Sequence, residues 1–127
     1  MLEDLIIEGC NQLETIDLRD CPKLKSITVP ASVKTVFIGN CENVERLVAT
    51  YSGSSRQVSN LVSVTVSACP GLKYVDLSGQ NNENLVISLV GAPHMEVVYL
   101  NGITTSSVTF PEKKDWNTLQ SLNISGT

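Results

Sequence analysis

The 127-residue sequence is poor in basic charge, aromatic side chains and histidine, and it lacks any long apolar run. Nine Lys and Arg stand against thirteen Asp and Glu, a net charge of −4, with no basic stripe to neutralise a phosphate backbone. This argues against a nucleic-acid partner. No apolar stretch nears the roughly 18 residues that span a bilayer, which argues against membrane insertion. The N-terminus also lacks the basic, apolar and small-residue succession of a secretory signal. A single histidine, His94 in the turn "GAPHM", leaves catalytic thiols or hydroxyls without a ready base. There is no Gly-rich phosphate loop, nucleophile elbow or His-Glu metalloprotease signature. These absences point away from an enzyme, and no catalytic, cofactor-binding or metal-ligating residue is assigned.

What the chain does have is a repeat. "LEDLIIEGC" and "LETIDLRDC" share one phrase: an apolar residue, two others, an apolar residue, one other, an apolar residue, then a turn. Eleven copies start at Leu2, Leu13, Leu24, Val33, Val44, Leu61, Leu72, Asn84, Met95, Thr105 and Leu119. Of their 33 marked positions 31 are apolar, in a chain that is only 42% hydrophobic, so the pattern must be read before any local propensity. The last two marked residues of each copy alternate with outward ones, and many are β-branched, as in a three-residue strand lying over a core. Turn residues cut every copy before a helical spacing of three and four can be sustained.

Two copies make one coil of about 22 residues with a strand on each of two sides, so alternate copies build two parallel sheets. The inward segments of sheet A are predicted at 5–7, 27–29, 47–49, 75–77, 98–100 and 122–124, and those of sheet B at 16–18, 36–38, 64–66, 87–89 and 108–110. The insertion "TYSGSSRQVSN" at 50–60 and the irregular junctions "TTSS" and "PEKKDWNT" belong on loops outside the stack.

The phrase resembles the leucine-rich repeat, L-x-x-L-x-L-x-x-[N/C], over nearly the whole chain. The half-coil alternation and "CPKLKSITVPASVKTV" are most similar to leucine-rich repeats of bacterial cell surfaces, the BspA-like and cysteine-rich internalin-like groups. "LEDLIIEGC" also looks like repeats at the end of plant immune receptors. The resemblance implies a mainly β, right-handed solenoid of about five and a half coils, a single domain over 1–127 taken from a longer protein. It also implies a cell-surface or secreted setting and a protein partner bound for adhesion. A structural spacer without its own ligand is the alternative. No amphipathic cap closes either end of the repeat, which admits end-to-end self-association.

Cys10, Cys21, Cys41 and Cys69 all take the ninth position of the phrase. Their separations do not suit paired zinc ligands. Cys21, Cys41 and Cys69, each after a sheet B strand and followed in column by Ala92, are predicted to stack as a buried ladder. All four cysteines are expected to be free thiols, slow to react while the chain is folded. Distance alone leaves a disulfide between neighbouring rungs open.

The outward positions differ between the faces. Face A gathers Arg46, Val48, Tyr74, Asp76, Val97 and Tyr99 on three successive coils, a mixture of aromatic anchors, apolar surface and both charges that suits a protein contact. Face B is rich in Ser and Thr, interrupted by Asp17 and Phe37. The 50–60 loop is the rival site.

Overall fold

The computed structural model describes residues 4–5, 7, 10–53, 56–105, 107–112 and 119–124, with only the backbone of Asp4 and Leu5. Among these residues the chain forms eleven strands and no helix. They are β1 (Asp4–Leu5), β2 (Thr15–Arg19), β3 (Ser26–Thr28), β4 (Thr35–Gly39), β5 (Arg46–Val48) and β6 (Ser63–Ser67), followed by β7 (Tyr74–Asp76), β8 (Val86–Ser88), β9 (Val97–Tyr99), β10 (Ser107–Thr109) and β11 (Ser121–Asn123).

Odd strands form one six-stranded sheet in the order β1-β3-β5-β7-β9-β11, and even strands a five-stranded sheet, β10-β8-β6-β4-β2. Every pairing is parallel and links equivalent positions of neighbouring copies: Ile27 with Leu47, Leu47 with Val75, Val75 with Val98. The two sheets are thus the predicted A and B, in the predicted register. Because residues stack like on like, one apolar position per copy becomes an apolar column through the molecule. Ile27, Leu47, Val75 and Val98 on one side face Val36, Ile38, Val64, Val66 and Ile87 on the other, all at most 2% exposed.

Four features depart from expectation. Strands β2, β4 and β6 run for five residues, not three, ending at Arg19, Gly39 and Ser67. Each is followed by a residue in the left-handed region, Asp20, Asn40 and Ala68, with φ of 56°, 53° and 50°. This conformation turns the chain sharply, so the preceding residues stay extended up to the corner. At copy eight the leading buried residue is Leu85; Asn84 is exposed, its amide bonded to Asn82 Oδ1 at 3.0 Å.

The other two departures concern the ends of the stack. The closed, buried part of the solenoid makes about four turns, against the five and a half coils expected. Among the described residues the buried apolar core runs from Ile16 to Ile103; Val108, Phe110 and Leu119 pack against it only in part, and Leu122 and Ile124 are 42% and 53% exposed. An inward side chain is sealed only where coils pack on both sides of it. The inward Leu5 and outward Ile6 lie, as side chains, outside the described residues.

Candidate protein-contact face

Parallel register sets the outer surface of sheet A in two rows. Arg46 aligns with Tyr74 and Tyr74 with Val97; Val48 aligns with Asp76 and Asp76 with Tyr99. The six residues singled out in the sequence therefore lie side by side on β5, β7 and β9, strands that pair directly and so lie about 4.8 Å apart. The Arg46 guanidinium lies 4.2 Å from the centre of the Tyr74 ring, and Tyr74 meets Tyr99 edge to face at 5.7 Å between ring centres. Such contacts hold flat side chains in place at little further entropic cost, which favours a surface that binds without rearranging.

Asp76 is committed within the chain. Its Oδ1 accepts from the Ser78 amide at 3.0 Å and from the Ser78 hydroxyl, and Asn101 Oδ1 lies 2.9 Å from that hydroxyl. The carboxylate thus braces the corner after β7, a role invisible in an isolated repeat because Asn101 arrives 23 residues later on the next coil.

Face B has a smaller cluster of its own. Arg19, reached only because β2 runs long, stacks 4.5 Å over Phe37 and bonds Asp17 with its Nε at 2.9 Å. That ion pair raises the Arg19 pKa, first through the hydrogen bond and then through the charge of Asp17. Around it Thr35, Ser63 and Thr65 keep the face polar. Nearby, an open groove of about 540 Å³ is lined by Asn11, Gln12, Glu14, Ser32, Lys34 and Asn60, with Lys34 and Glu14 paired at 3.3 Å.

The cysteine column is present at its centre. Cys41 and Cys69 are fully buried and Cys21 is half-buried; Ala92 continues the column, also buried. Each thiol donates to the carbonyl two residues back: Cys21 to Arg19 at 3.4 Å, Cys41 to Gly39 and Cys69 to Ser67 at 3.3 Å. Burial pushes the Cys41 and Cys69 pKa values up, because a thiolate there would lose its hydration. Cys10 departs from the expected slow reactivity, being exposed. It follows a sheet A strand, whereas Cys21, Cys41 and Cys69 follow sheet B strands. His94 is exposed, in its turn between β8 and β9.

The turn "SGQNN" has amide side chains that reach across to the coil before it. Asn81 Oδ1 accepts from the Ser59 amide at 2.7 Å, Asn81 Nδ2 donates to the Gln57 carbonyl at 2.8 Å, and Asn82 Nδ2 donates to the Ser59 carbonyl at 3.1 Å. Two consecutive amide side chains on one coil thus clasp the returning limb of the 50–60 insertion on the coil before. An amide-rich tripeptide one coil after an insertion is a usable signal, though only stacking shows which backbone it meets. No family model, curated protein or solved structure matches the chain.

Proposed function

We propose that this chain is a non-enzymatic protein-binding module: a right-handed solenoid of the leucine-rich-repeat type, acting at a cell surface or after secretion, with its partner seated on the outer surface of sheet A. The observation that carries this reading is the ordered cluster of Arg46, Tyr74 and Tyr99, flanked by Val48 and Val97. Aromatic and arginine side chains dominate the energetics of protein interfaces, and here they are already held by one another. The repeat assignment is supported by marked positions that fall in the buried columns and by ninth-position thiols that bond backbone carbonyls.

The test is affinity capture from surface and secreted fractions with the natural chain, Tyr74→Ala with Tyr99→Ala, and Thr65→Ala on the opposite face, alongside a fourth protein shortened at 52–58. A binder held by the first and third and weakened by about 2 kcal/mol or more in the second is the expected result. Equal retention by the first three refutes the assigned face, and loss only on shortening the 50–60 loop transfers the site there. A second reading, a spacer in a longer repeat array, draws on Leu122 in the outermost strand of sheet A and Ile124 just after it, whose exposure suits the stacking of a further coil. Under that reading no ligand depends on Tyr74 or Tyr99.

A further inference from the structure

Gln80 is 5% exposed, and its side-chain amide is half satisfied. Nε2 donates to the Ala49 carbonyl at 2.6 Å, while Oε1 has no hydrogen-bonding partner. Turning the amide over does not solve this, because it would set Oε1 against a carbonyl oxygen that can only accept. A buried carbonyl oxygen left without a donor is costly, and native interiors satisfy nearly all such groups.

Gln80 itself lines a small cavity of about 10 Å³, room for the centre of one water molecule, between the core and the root of the insertion. Its wall also includes Thr50, Tyr51 and Ser59 from the two limbs of the insertion, and Val33 and Leu61 from the core. The cavity is pinned in place. The Tyr51 amide donates to the Ser78 carbonyl at 2.9 Å, the Ser59 amide to Asn81 at 2.7 Å, and Gly79 passes so close beneath Tyr51 that an added Cβ would lie 2.0 Å from its carbonyl oxygen.

We propose that this cavity is a binding site for a single internal water, which donates to Gln80 Oε1 and bridges the 80–82 coil to the root of the 50–60 insertion. An apolar cavity of this size stays dry, but one lined by Gln80, Thr50 and Ser59, with the Gln80 carbonyl oxygen left without a donor, is polar enough to hold water. The insertion is therefore anchored at its base by a three-part joint: the Asn81 and Asn82 clasp, the Gln80 bond to Ala49, and the water.

A crystal structure of the natural chain at high resolution is the direct test, with one well-ordered water expected about 2.8 Å from Gln80 Oε1. A dry cavity, or a Gln80 amide rotated so that Oε1 meets a protein donor, overturns the proposal. Hydrogen exchange supplies a second readout in Gln80→Met, which keeps the bulk and removes both the acceptor for the water and the bond to Ala49. Exchange at the Tyr51 and Ser59 amides is expected to quicken by roughly fivefold or more, with β4 and β6 unchanged. Unchanged exchange at Tyr51 and Ser59 also overturns the proposal.

Discussion

Ala68 and Gly91 occupy the same corner of successive coils and predict opposite results from opposite substitutions. Ala68 holds φ at +50°, where its Cβ crowds its own backbone, and the side chain is exposed, so its methyl group contributes little packing. The left-handed conformation costs a residue with a Cβ about 1–2 kcal/mol. Ala68→Gly relieves that cost but gives the unfolded chain more freedom, about 0.4–1 kcal/mol in the other direction. The balance is a gain of about 0.5–1 kcal/mol, or an increase of about 2–6 °C in Tm for a domain of this size. At Gly91 an added Cβ would lie 2.5 Å from the Ala68 nitrogen and the Ser67 Cα, and 2.7 Å from the Val66 carbonyl oxygen. These are backbone atoms of the coil beneath, which cannot swing aside as a flexible side chain would. Gly91→Ala is therefore expected to cost about 1–3 kcal/mol, as overpacking does. Urea unfolding followed by circular dichroism, with the slope of the transition unchanged, measures both. If Ala68→Gly destabilises, or if Gly91→Ala is neutral, the close stacking of corner on corner is wrong.

Leu77→Ala, at a fully buried position, is expected to cost about 2–5 kcal/mol, against no more than about 0.5 kcal/mol for exposed Lys73→Ala in the same unfolding assay. Equal effects would refute the burial of Leu77 in the core column. In the folded chain a thiol reagent should label Cys10 first, then half-buried Cys21, and reach Cys41 and Cys69 only on unfolding. Because burial raises the Cys41 and Cys69 pKa above the usual 9.0, the folded state keeps protons that the unfolded state releases. Their contribution to stability is complete below that pH and declines as pH rises through and above it, by at most about 1.4 kcal/mol per pH unit for each thiol. Stability measured from pH 7 to 10 should fall less steeply in Cys41→Ala with Cys69→Ala, and an unchanged slope refutes the burial account.

The period, the two parallel sheets and the inward columns were legible in the sequence, because alternation along a strand is local and every copy repeats the same choice. Arg46, Val48, Tyr74, Asp76, Val97 and Tyr99 could be placed on one face by the same logic: stacking like on like turns a repeat position into a neighbour. Only the tertiary structure decided how far each position is covered and what polar groups meet across coils. Leu122 and Leu47 hold equivalent places in the phrase, yet one is 42% exposed and the other fully buried, since burial depends on the coils above and below. Cys10 and Cys41 differ as well, the first following a sheet A strand and the second a sheet B strand. The left-handed corners that lengthen β2, β4 and β6 arise at Asp, Asn and Ala, each just before a ninth-position Cys, but only Asp and Asn favour that conformation by themselves, so their residue types alone do not mark the corner. The grip of Gln80, Asn81 and Asn82 on the insertion joins residues more than twenty positions apart, a distance that closes only when one coil is laid on the next.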